Sequence, residues 1–305
     1  MDTIAIETRN VDFSFPRTGL TISSLNVKVK KGAIYGFLGP NGSGKTTSIR
    51  LMLGLLSPLK GTILLFGREL SKVAPGIFSR IGTLVETPSL YDHLSAFDNL
   101  RIVQRIKNIP VEAISESLSL VGLNDVVNKP VGKFSLGMKQ RLGLAIALMS
   151  NPELLILDEP SNGLDPSGML EVRELLLRLN KEKGITIMIS SHLLSEIEKL
   201  VSHVGIINNG ALIFQDTIGA LQQFQQPLLH IKTNDNIQAV DFLQTSLPAK
   251  LNCENIELVI DGDDEVAGIA KKLMVAGYDI YDLHVSKGSL ENIFISITDK
   301  RQKKA

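Results

Sequence analysis

The chain has 305 residues, with 32 basic and 32 acidic side chains and 44% apolar residues. That length allows a large core and predicts two domains. A formal net charge of +0, no tryptophan and only 5% aromatics leave neither the basic stripe nor the stacking platforms of a nucleic-acid binder, so no such partner is expected.

The opening residues, "MDTIAIETRNVDFSF", carry acids where a secretory signal needs a basic and then an apolar run. No apolar stretch approaches the roughly 18 residues of a spanning helix. Cys253 is the only cysteine, which allows no intramolecular disulfide and reads as a structural or surface thiol. A cytoplasmic, reducing location is expected.

Within the first 30 residues, "TIAIET" and "LNVKVKKG" alternate apolar and polar, as half-buried antiparallel strands do. Continuous apolar runs then recur between helical stretches: "AIYGFLG", "LLILDE", "ITIMISS" and "HVGIINNG". Such runs predict strands buried on both faces, hence a parallel sheet covered by helices.

After the first of these runs, "GPNGSGKTT" fits the phosphate-loop pattern G-x-x-x-x-G-K-[ST] over Gly39, Pro40, Asn41, Gly42, Ser43, Gly44, Lys45, Thr46 and Thr47. The helix pattern "TTSIRLMLGLL" follows. Glycines let backbone N–H groups turn toward phosphate oxygens, and the helix start adds its dipole. Lys45 is then expected to neutralise the β- and γ-phosphates, with the Thr46 hydroxyl on Mg²⁺. Farther on, "RIGTLVETP" reads as a strand that ends near Glu86, a carboxylate placed either on ordinary surface or against a ligand.

Residues from about 88 to 150 turn mostly helical, as an inserted subdomain would. Inside them "KFSLGMKQRLGLAIALM" opens an amphipathic helix with Ser135 at the N-cap, a start suited to an anion or simply to capping. "LLILDEPSNGLDP" then ends a strand on two acids. Strand alternation sends Asp158 and Glu159 to opposite sides and so to different roles, Asp158 toward Mg²⁺ and Glu159 toward an attacking water. "IMISSHLLSEIE" brings His192 to the end of another strand, where a histidine alone is usually structural. Near 225, the polar "QQFQQP" reads as a linker ending in Pro227. Beyond it "LLHIKT", "IELVID" and "YDIYDLHV" predict strands, with "EVAGIAKKLMVAG" a helix between two of them.

In this order and spacing the four motifs resemble the ATP-binding cassette (ABC) ATPases over about residues 3–225. The resemblance implies an α/β fold, a P-loop NTPase cassette with an N-terminal antiparallel β subdomain and an inserted helical subdomain, to which the strand and helix patterns beyond Pro227 add a small C-terminal α/β domain. Residues 1–225 are then the ATP-binding domain and 228–305 the accessory one. It places "FSLGM" at the family's signature, with Ser135 and Gly137 expected on the γ-phosphate. It also places Asp165 in the D-loop, His192 at the switch histidine and Phe15 on adenine. Leu136 and Met138 replace a glycine and the glutamine of the usual signature, and Phe15 replaces a tyrosine.

Where the family carries a Q-loop glutamine on Mg²⁺, this chain has Glu86. With "TPSLYDHLSAFDNL" after it, the segment resembles bacitracin-resistance and lantibiotic-immunity exporters, whose version is described as an E-loop. Glu86 is accordingly expected to face the metal and to gate between nucleotide and membrane partner. The tail "SKGSLENIFISIT" resembles a motif near the end of many exporter cassettes and is assigned no chemistry, and "DKRQKKA" reads as a frayed basic end.

The resemblance implies ATP and Mg²⁺ as cofactors and a second cassette packed head to tail in a homodimer. It also implies a separate integral membrane permease that holds the chain at the inner face of the membrane. The expected activity is ATP hydrolysis driving export of a bacitracin- or lantibiotic-like peptide. The permease surface is expected near residues 87–110, where Leu90, Tyr91, Leu94 and Phe97 serve either that contact or internal packing. Competing readings are a nucleic-acid- or ribosome-associated cassette ATPase, a peptide sensor serving a membrane kinase, and an exporter of another drug or lipid.

Overall fold

β1 (Ile4–Ser14) buries Ile6, Thr8, Val11 and Phe13 while Arg9 and Asn10 reach the surface. Asn10 has φ +47, and register shifts on both sides of β1 near it reset the alternation. β1 pairs antiparallel with β2 (Thr21–Leu25), β3 (Lys28–Lys30) and β5 (Lys60–Leu65), and β5 pairs with β6 (Arg68–Glu69), in a five-stranded sheet. Thr8 is buried without penalty because its hydroxyl donates to Leu25 O at 2.9 Å and accepts from Val27 N at 2.7 Å.

This is a computed structural model that describes residues 4–16, 21–86, 88–192, 197–224, 227–245, 247–252 and 255–287. Cys253, the tail motif from residue 288 onward and the basic end lie outside the described residues. Among the described residues no helix is long and apolar enough to cross a membrane.

The second sheet holds the apolar runs. β4 (Ile34–Leu38), β7 (Ile81–Leu84), β8 (Leu154–Asp158), β9 (Thr186–Ser191), β10 (His203–Asn208) and β11 (Ala211–Thr217) lie in the order β11-β10-β4-β9-β8-β7. All neighbours are parallel except β10 and β11, which form a hairpin. Every residue of β4, β8 and β9 is buried, as a strand covered on both faces requires. α1 (Lys45–Met52) leaves the sheet directly after β4, and a short α2 (Leu70–Val73) follows β6.

Between β7 and β8 the chain is helical: α3 (Ala96–Lys107), α4 (Glu112–Leu120) and α5 (Leu136–Leu148). Ser95 caps α3 by accepting from Asp98 N, and Ser135 caps α5 by accepting from Met138 N at 3.2 Å. Asn99, almost fully buried, accepts from Tyr91 N and donates to Tyr91 O and Ser95 O, which pins the loop before α3. Lys139 on α5 reaches Asp92 in that loop at 2.8 Å. α6 (Pro166–Lys183) has Asp165 as its N-cap, Pro166 in its first turn and Gly184 at its left-handed end.

The chain divides into two compact units between Ile218 and Gly219, ahead of the polar stretch expected to be the linker. In the second unit β12 (Pro227–Thr233), β13 (Lys250–Asn252), β14 (Asn255–Val259) and β15 (Ile280–Lys287) form an antiparallel sheet of order β13-β14-β12-β15. Pro227 opens β12, a place where a missing N–H is tolerated. Two helices, Asn236–Gln244 and Asp263–Val275, pack with the sheet around Leu229, Ile231, Ile256, Leu258, Leu243 and Leu273. The first was not expected from sequence.

Candidate active site

The turn from β4 into α1 is closed by small residues. A β-carbon on Gly39 would stand 2.4 Å from both Ile207 O and Ser43 Oγ, so only glycine fits. Gly44 has φ +105 and would meet Ile22 Cδ1 at 2.5 Å. Lys45 follows, only 6% exposed, with its ammonium donating to Gly39 O at 2.8 Å and Pro40 O at 3.4 Å. Ser43 Oγ is buried and has no hydrogen-bond partner among the described residues.

Asp158 ends β8, 4% exposed, and accepts from Thr46 Oγ1 at 2.8 Å and from Ser190 Oγ at 2.5 Å. Ser190 lies on the neighbouring β9 and also accepts from Glu159 N at 2.9 Å, so one hydroxyl joins both acids. Glu159 leaves the strand with φ +49, a left-handed backbone uncommon for a residue with a β-carbon. Its carboxylate lies 3.2 Å from Lys45 Nζ and 2.7 Å from His192 Nδ1.

The expectation that alternation sends the two acids to opposite sides is corrected here. β8 stops at Asp158, and the left-handed turn returns Glu159 to the phosphate loop. Asp158 meets Thr46 and Glu159 meets Lys45, adjacent residues of one helix start.

A cavity of 360 Å³ opens over this cluster, lined by Asn41, Gly42 and Gly44 through Thr47 on one side and Glu159, Asn162 and His192 on the other. Backbone amides at a helix start and a buried ammonium suit an anionic phosphate chain. The Thr46 hydroxyl beside the Asp158 carboxylate is a hard oxygen pair that fits Mg²⁺. Among the described residues no group of three or more His, Cys, Asp or Glu side chains is arranged to hold a metal, so such an ion would take its other ligands from phosphate and water.

Other expected site residues stand outside this cavity. Phe15 follows β1 and packs edge-on against Phe13, ring centroids 4.7 Å apart, beside the core of the antiparallel sheet. Glu86 stands two residues past β7 and pairs with Arg50 of α1. Ser135 and Asp165 act as helix caps, and Gly137 lies in the first turn of α5 against Leu164. Sequence reasoning missed Ser190 and Asn162. Ser190 carried one usable signal, its place two residues before His192 on a strand beside β8.

Within the same unit a second, apolar groove of 550 Å³ runs between the parallel sheet and the helical region, lined by Leu53, Phe78, Val85, Pro88, Leu90 and Val103 among others. Of the four apolar residues expected either at a permease contact or in internal packing, Leu90 lines this groove and Tyr91 is 53% exposed. Leu94 and Phe97 are half-buried.

A parallel sheet with a phosphate loop after its β4 strand and an acidic pair at the end of β8 defines a P-loop NTPase. The ABC transporter family profile matches residues 22–162. The bacitracin transport ATP-binding protein BcrA of Bacillus licheniformis is 45% identical over 285 residues, 91% of this chain and 92% of its own. The lantibiotic transport ATP-binding protein SrtF of Streptococcus pyogenes is 45% identical over 194 residues, 64% of this chain and 83% of its own. The structure of cbiO1 from Clostridium perfringens, part of the ABC transporter complex cbiONQ, matches with a TM-score of 0.66 at 25% identity, covering 81% of this chain and 96% of that one. The chain belongs to the ABC transporter family, and it is the cassette that binds and hydrolyses ATP.

Proposed function

We propose that this chain powers export of an antimicrobial peptide of the bacitracin or lantibiotic class through a separate membrane permease. The observation that carries the energetic part is the Lys45–Glu159–His192 cluster beside the Thr46–Asp158 pair at one cavity. The bacitracin and lantibiotic transport for which the relatives from Bacillus licheniformis and Streptococcus pyogenes are named supports the cargo class.

In this reading Gly39 to Thr47 cradle the phosphates, and Thr46 and Asp158 hold Mg²⁺, which offsets phosphate charge when bound. Glu159 orients the attacking water and takes its proton, while His192 and Lys45 place donors toward the γ-phosphate. Phe15 offers its ring to adenine. Ser135 and Gly137 serve the cavity of a second copy, with Asp165 in the loop between the two. The apolar groove beside Glu86 receives the permease and so keeps the chain at the inner face of the membrane.

The test uses cells carrying this chain and its natural membrane subunit, wild type beside Lys45→Ala. Growth is read across bacitracin, several lantibiotics and unrelated drugs. Loss of protection against one peptide class alone is the expected result. Equal growth of both strains in every compound would sink the peptide-export reading.

A further inference from the structure

Arg50 and Glu86 form an ion pair for which the phosphate-loop chemistry has no use. Arg50 lies on α1 four residues after Thr46, so both belong to one helix face. Glu86 reaches it from the loop after β7 with φ +61, a conformation that disfavours side-chain-bearing residues. The side chains are 36% and 59% exposed, and neither has another ionic partner among the described residues.

Arg50 stands one helical turn after Thr46, so the Glu86 carboxylate paired with it adds negative charge beside the helix whose start is read to bind phosphates. Uncompensated, it would repel them. An arginine keeps its charge at every working pH and presents a planar fork to a carboxylate, so it can cancel that charge and fix the carboxylate's direction together. We propose that Arg50 is a positioning residue for Glu86, holding the acid near α1 and neutralising it so that a glutamate can stand in this loop without weakening nucleotide binding. The proposal rests on the reading of the 360 Å³ cavity as the nucleotide site.

The experiment is a double-mutant cycle on the full chain. Binding of a fluorescent ATP analogue with Mg²⁺ is measured for wild type, Arg50→Met, Glu86→Gln and the double variant. Arg50→Met should bind about fivefold more weakly, a gap that narrows as salt rises. Glu86→Gln, which leaves the Arg50 charge uncancelled, should bind at least as tightly as wild type, and the double variant should return to wild-type affinity, because no charge of either sign remains there. Arg50→Lys, which keeps the charge but not the fork, should fall between and guards against a folding defect.

A double variant as weak as Arg50→Met would overturn the proposal, since Arg50 would then act on nucleotide or on the fold directly. Arg50→Met binding like wild type would also overturn it. Lys45→Ala is the control for the underlying reading. If wild type binds no better than Lys45→Ala, the nucleotide site itself is wrong; if wild type binds and the cycle is additive, only the Arg50–Glu86 coupling fails.

Discussion

Leu136 lies over Gly163, such that a β-carbon at Gly163 would stand 2.8 Å from Leu136 Cδ2. Beside it, a β-carbon on Gly137 would be 3.7 Å from Leu164 Cδ2. The start of α5 therefore packs on the loop leading to Asp165 within one chain. Gly163 also has φ +74, so alanine there meets both backbone strain and a collision. Gly163→Ala is expected to destabilise by about 1–3 kcal/mol in urea unfolding. Leu136→Ala in that background should recover part of the loss. No recovery would assign the whole cost to the backbone and leave the contact without consequence.

Ser190 is fully buried and serves two acids at once. Ser190→Ala removes the acceptor of Glu159 N and one donor to Asp158. It should cost about 1–3 kcal/mol in stability. Because nucleotide contacts are untouched, kcat should fall about tenfold or more while nucleotide affinity stays near wild type. Steady-state ATPase kinetics beside a binding titration decide it; equal kcat would show that the acids need no such brace.

Glu159→Gln keeps the size of the side chain and its reach to His192 but removes the basic oxygen. Nucleotide binding should persist and turnover should fall at least about 100-fold, the usual contribution of a positioned base. Phosphate release from the purified variant is the measurement. Hydrolysis at the wild-type rate would move the base elsewhere.

Arg80 meets Glu153 through two parallel hydrogen bonds, at 2.5 and 2.8 Å, and lies 4.0 Å over the Phe66 ring. The bond from Arg80 holds the Glu153 carboxyl below the usual glutamate range, against a smaller upward push from desolvation. A folded-state value below the unfolded one adds stability above the unfolded pKa, and that stability is lost as pH falls through the folded value. Both side chains are largely solvated, so Glu153→Gln should cost only about 0.5 kcal/mol at pH 7. Urea midpoints taken stepwise downward should show the gap closing once pH passes below about 4.3. A gap that stays constant with pH would mean packing, not charge, is responsible.

Much of this arrangement is legible in the sequence alone. Continuous apolar runs mark β4, β8, β9 and β10 because strands covered on both faces have no polar side to show. The phosphate loop is local, with nine adjacent residues carrying both its shape and its chemistry. Glu159 was harder to place, because its side depends on a left-handed turn that no spacing rule contains. Ser190 was missed for a related reason, since its importance comes from the neighbour relation of β8 and β9 across 31 residues. The helix Asn236–Gln244 lacks a long apolar stripe and is fixed by Asp235, which accepts from Ile237 N and Gln238 N.

The left-handed backbone at Glu159 sets thermal robustness against chemistry at one residue. A glycine there would relieve about 1 kcal/mol of local strain. Directed evolution for heat resistance, with no demand on turnover, should therefore accumulate Glu159→Gly or Glu159→Asn and return durable but inert protein. The same drift is expected at Glu86, with φ +61, so a thermostability library of this chain needs a functional screen at both positions.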